Sequence, residues 1–152
     1  MSRSGYSDDC DDQWGHIMWR GRVASAMRGK RGQAFLREML AALDALPEKK
    51  LITNALENEG AVCAIGAVGR TRGVDMREID PEDSALVAST FGIAECMAQE
   101  IVYMNDEAFD GYWCKTPEER FEKMRAWVVS MIREADATPA GRAVLEQDGG
   151  GR

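Results

Sequence analysis

QAFLREMLAALDAL, residues 33–46, decides the fold class. Phe35, Leu36, Met39, Leu40 and Leu43 recur at intervals of three and four, so one helical face carries all five. Pro47 cannot extend the hydrogen-bond ladder and stops the helix after Leu46. Thr116-Pro117-Glu118-Glu119 marks a second core helix, with Thr116 as cap, Pro117 in the first turn and Glu119 completing a capping box. Behind it Phe121, Met124, Trp127, Val128, Met131 and Ile132 form the apolar side, and the helix should end near Ala135.

Weaker signals surround these two. Ile17, Met18, Val23, Ala24 and Met27 suggest a helical stripe over residues 14–27, although Gly15 and Gly21 work against it, and Gly29 and Gly32 bracket Lys30-Arg31 as a turn. LITNAL and AVCAI flank ENEG, which predicts a short β-hairpin near residues 51–65; the alternative is a helix beginning at Cys63. Residues 69–78 read as a polar connection. Asp80 caps a short helix with Pro81 in its first turn, running to about Thr90. After Gly92, Ile93, Met97, Ile101 and Met104 line one side of a helix over residues 93–104. The expectation is a mainly α, compact domain of about five helices with that hairpin, spanning residues 14–135. A flexible acidic arm over residues 1–13, carrying Asp8, Asp9, Asp11 and Asp12, precedes it, and a disordered Gly-rich tail over residues 136–152 follows.

A chain of 152 residues that is 45% hydrophobic can bury a core without disulfides or metal. No apolar run reaches membrane-spanning length and the polar start lacks a signal-peptide segment, so a cytoplasmic location is expected. Cys63 and Cys96 sit among apolar residues and read as reduced, structural thiols.

Charge is unevenly distributed. The formal net charge is −7, yet residues 19–33, WRGRVASAMRGKRGQ, hold Arg20, Arg22, Arg28, Lys30 and Arg31 with no acid. Without those five the remainder carries −12. Such a basic patch on an acidic body either pairs with the chain's own carboxylates or meets an anionic partner. The free amides opening the helix at Gln33, with Arg28 and Arg31, suit a phosphate or carboxylate. Gly29-Lys30-Arg31-Gly32 lacks the spacing of a phosphate-binding Walker loop. The acidic body and the apolar residues of helix 33–46 argue against base-reading DNA recognition.

Other chemistry has thinner support. Cys10, His16 and Cys114 lack the close ligand pairs of a zinc site, so no metal and no cofactor is assigned. An enzyme using Cys63 lacks a ready base because His16 is the one histidine, and any two of Asp75, Asp80, Asp83, Asp106 and Glu107 would serve as a carboxylate pair, but no pattern singles one out. The loop DEAFDGYWCK offers Tyr112 and Trp113 either as a lid over the core or as an anchor for a partner.

The run from Arg20 to Ile52, then Gly60-Ala-Val-Cys63-Ala-Ile-Gly66-Ala67-Val, Asn105-Asp106-Glu107 and Thr116-Pro117-Glu118-Glu119, resembles a family of small bacteriophage and prophage proteins to which no activity is attached. The likeness covers about residues 14–133. The resemblance implies a genomic setting in which small acidic proteins bind and block host factors. The reading that follows is a non-enzymatic phage accessory protein that binds a host macromolecule, such as a defence or regulatory factor. It would use Arg20, Arg22, Arg28, Lys30, Arg31, Tyr112 and Trp113 against an acidic protein surface. The alternatives are a nucleic-acid-associated protein of phage replication or regulation, and a small enzyme.

Overall fold

The computed structural model describes residues 3–4, 13–108 and 114–133. Among them, six α-helices and one two-stranded antiparallel ribbon form a mainly helical fold. Helix α2 (Lys30–Ala45) lies at its centre, packed against α1 (Gln13–Arg28), α3 (Ala64–Arg72) and α6 (Pro117–Met131). Helix α5 (Glu95–Asp106) packs against α1, α3, α4 (Ser84–Phe91) and α6. Leu36, Met39 and Leu43 of α2 are fully enclosed, as their spacing requires, together with Ile65, Phe91, Met97, Ile101 and Met124. Phe35 meets Phe91 edge to face at 6.4 Å, and the Arg72 guanidinium lies 5.7 Å from both ring centres. Arg72 also holds Glu38 in two hydrogen bonds, which depress the Glu38 carboxyl below its ordinary range.

Helix α1 forms despite Gly15 and Gly21, but its expected stripe is divided. Val23 and Met27 are buried, whereas Ile17 and Met18 are 56% and 47% exposed. At about 100° per residue, Met18 sits across the helix from Val23 and Met27, and Ile17 sits on its flank. Helix α2 begins three residues before Gln33, so Lys30 and Arg31 occupy its first turn and are not the tip of a separate turn. Gly29 is the break, with an extended backbone. Gly32 serves packing, because a Cβ there would lie 2.0 Å from the Ala26 carbonyl oxygen.

Gln33 is the buried polar residue that joins these helices. Its Nε2 donates to the carbonyls of Met27 (2.8 Å) and Met131 (3.0 Å), and its Oε1 accepts from the Arg133 N–H (2.8 Å). One side chain therefore satisfies the otherwise orphaned last turns of α1 and α6. Gln33→Leu, similar in size, removes the bonds to the Met27 and Met131 carbonyls and to the Arg133 N–H, and chemical denaturation should show a loss of about 2 kcal/mol.

The hairpin is present and brief. Strand β1 (Glu57–Asn58) pairs with β2 (Ala61–Val62), Glu57 opposite Val62, through a turn in which Glu59 and Gly60 both take positive φ. The first strand falls on Glu57-Asn58, which the sequence reads as turn, and LITNAL carries no strand; after Val62 the chain follows the alternative reading, with Cys63 capping α3 and its sulfur accepting the Gly66 N–H at 3.3 Å. Helix α3, additional to the five expected, runs through Arg72, so residues 69–72 are helical and the polar connection begins at Gly73. A 3-10 turn follows at Met76–Glu78.

Helix α4 starts later than Asp80. Asp80 accepts from Glu82 N–H inside a turn, and Asp83 is the cap, accepting from Leu86 N–H at 3.1 Å. This start sets Val87, Ala88 and Phe91 against the core. Gly92, in the left-handed region, ends α4 as read from the sequence. The Thr116 cap, Pro117 and reciprocal Glu119 bond of α6 are all formed. No single described helix is long and apolar enough to cross a membrane.

Candidate functional site

Two places concentrate polar chemistry: an exposed basic face at the α1–α2 junction, and a buried knot where α3 and α5 meet. The basic face is built by α1 and the first turn of α2. Residues 13–37 contain no acid, and Arg22, Arg28, Lys30 and Arg31 are all exposed. Ile17, Met18, Arg22 and Arg28 fall within one outward arc of α1 by helical spacing. No acceptor among the described residues takes Arg22, Arg28 or Arg31. Every other described arginine is engaged, for instance Arg72 with Glu38, Arg77 with Asp75 and Arg125 with Asp44.

Arg20 separates from this group. It forms a 2.9 Å ion pair with Glu100, a buried carboxylate of α5, and so ties α1 to α5. Tyr112, Trp113 and residues 5–12 of the acidic arm lie outside the described residues.

Lys30 and Arg31 stand at the electrostatically wrong end of a helix. The first turn of α2 holds no acid and Gly29 provides no side-chain cap, so two cations face the positive pole of the helix dipole. Each cation there opposes folding by about 0.3–1 kcal/mol. Beside them is a cleft of about 190 Å³ lined by Gly29, Lys30, Arg31, Gly32, Ile93 and Ala94. Ala94 caps α5 and likewise makes no side-chain cap bond. The cleft thus presents two helix N-terminal ends and two cations, a setting that suits a carboxylate. The helix start expected near Gln33 lies three residues earlier, at Lys30.

The knot holds the other motif residues. Asp106 accepts from Arg3 Nε at 2.6 Å, Arg3 Nη2 at 3.0 Å, Asn54 N–H at 3.3 Å and Asn105 Nδ2 at 2.7 Å. Asn105 also donates to the Ile52 carbonyl and accepts from Ala64 N–H, while Arg120 donates to its backbone carbonyl. Ser4 donates to Glu107 at 2.7 Å. Arg3 is 4% exposed, so at least these two residues of the expected arm are packed into the fold. Burial alone pulls the Arg3 pKa down, but Cys63 and then Asp106 outweigh it and raise it above the ordinary value.

Cys63 is 1% exposed, with its sulfur accepting from Gly66 N–H. Asp106 and Glu107, two of the five acids offered for a carboxylate pair, accept hydrogen bonds from Arg3 and Ser4. The arrangement fastens the loop over residues 52–54, the start of α3 and the end of α5 to one another. Among the described residues no cluster of three or more metal-ligating side chains occurs; His16 is exposed and Cys10 lies outside them. Sequence reasoning missed Arg3 and Gln33. Nothing in a local window signals either, because their key partners lie about a hundred positions away.

No family model, curated protein or solved structure matches this chain. The resemblance to small phage and prophage proteins therefore stands on its quoted residues alone. Four of them, Cys63, Gly66, Asn105 and Asp106, meet in or beside the knot.

Proposed function

We propose that this protein is a non-enzymatic accessory protein that docks on an acidic surface of another protein through Arg22, Arg28, Lys30 and Arg31, with Ile17 and Met18 as apolar contacts. One observation carries the reading: Lys30 and Arg31 sit where they oppose helix α2, and no described acceptor compensates them. Residues that work against local stability without a partner in the fold are candidates for a role outside it. Exposed cations beside exposed apolar side chains match a partner that is acidic and partly apolar. In the phage setting that the resemblance implies, the partner is a host factor met in the bacterial cytoplasm.

Arg28→Glu/Lys30→Glu/Arg31→Glu tests this directly. Acids at positions 30 and 31 favour the α2 dipole, whereas an acid at position 28, in the last turn of α1, opposes that helix by a similar amount, so the melting temperature should hold. Affinity for a Glu-rich peptide, measured by titration at low salt, should fall by about 100-fold, the size expected when close charge pairs are inverted. A lower melting temperature would make the cations structural. The nucleic-acid alternative is carried by the same cations but opposed by the acidic body; retention on random duplex DNA that weakens steeply with salt would favour it instead.

A further inference from the structure

Asp106 and Glu107 close α5 on a socket that already holds a ligand-like segment. Arg3 lays two parallel N–H bonds on the Asp106 carboxylate, and Ser4 adds a hydroxyl bond to Glu107. Fork-to-fork pairing of this kind is how proteins recognise an arginine presented by a partner. The seat is incomplete, however. Arg3 Nη1 is buried with no hydrogen-bond partner among the described residues.

The sulfur of Cys63 interacts with the Arg3 guanidinium and already accepts the Gly66 N–H. A thiol sulfur is a weak acceptor and does not replace the water that Nη1 has lost. A buried ion pair also returns little net free energy once its desolvation is counted. The helical core has no such deficit, since its hydrophobic cluster is continuous from Val23 to Val128. Arg3-Ser4 is therefore the part of the knot that opens at least cost, ahead of the helices.

We propose that the Asn105–Glu107 end of α5, with Cys63 beside it, is a binding site for an arginine-serine segment. Arg3-Ser4 is its resident occupant, and departure of that occupant uncovers Cys63 while the helices stay folded. Cys63 at 1% exposure then reports the state of the socket.

The full chain carrying Arg3→Ala is compared with the unaltered chain by reaction with a neutral maleimide, read at each cysteine by mass spectrometry. Cys63 should react at least about tenfold faster in the variant, with amide protection of α2 unchanged, as for local opening. A synthetic peptide of residues 1–7 should restore protection, and the same peptide with Arg3→Ala should not. Arg3→Lys, which keeps the charge but loses the fork, should give an intermediate rate without unfolding. Equal protection of Cys63 in both chains overturns the proposal. So does exposure of Cys63 together with loss of α2 protection, which is global unfolding, and so does a peptide that restores nothing.

Discussion

Asp106→Ala is expected to lower the stability of the folded chain by about 3 kcal/mol, measured by chemical denaturation. Asp106 accepts four hydrogen bonds, two from Arg3 and one each from Asn54 N–H and Asn105 Nδ2. The substitution leaves the buried Asn105 Nδ2 one acceptor short and the Arg3 charge buried without compensation, while the N–H of Asn54, an exposed residue, can turn to water. Arg3 limits the loss by moving to water, which keeps the figure at the low end for a broken buried pair. The same argument fixes the double variant: Arg3→Ala/Asp106→Ala should cost no more than Asp106→Ala alone. Costs that simply add would show that the two residues act independently. Asp106→Asn, which keeps one acceptor oxygen, should lose less.

Gly66→Ala should destabilise the protein by about 2–3 kcal/mol although it improves helix propensity by about 1 kcal/mol. The added Cβ would lie 1.9 Å from the Leu56 carbonyl oxygen and 3.1 Å from Val62 Cβ. The Leu56 carbonyl cannot retreat freely, because it accepts the Cys63 N–H at 3.1 Å. Either the hairpin shifts away from α3 or that bond is lost. Gly21→Ala provides the contrast within the same chain: nothing lies within 4 Å of its added Cβ, so it should stabilise α1 by up to about 1 kcal/mol. Thermal melts of the two variants should therefore move in opposite directions.

Why some elements were legible follows from the range of the forces that set them. Helices α2 and α6 are specified by apolar spacing, proline and a capping box, all within a few residues of one another. Helix α1 lacks that coherence, because Ile17 and Met18 point away from the side that Val23 and Met27 bury. Asp80 and Asp83 both offer a capping oxygen, and the choice between them rests on where Val87 and Phe91 meet the core. Cys63 admits both a hairpin arm and a helix start in the sequence, and packing of α3 decides for the helix, with the strand ending at Val62. The knot was not legible, since Arg3 and Asp106 are brought together by the whole fold. At the basic face, the sequence showed the charge inversion but not its distribution. Packing assigns Arg20 to Glu100 and leaves Arg22, Arg28 and Arg31 without a described acceptor.

On the proposed reading, Arg28, Lys30 and Arg31 serve a partner and not the fold. Capture of proteins from a bacterial host lysate, compared between the unaltered chain and Arg28→Glu/Lys30→Glu/Arg31→Glu, tests it most directly. A protein with an acidic surface should be held by the unaltered chain and lost by the variant. Identical capture by both chains would contradict it.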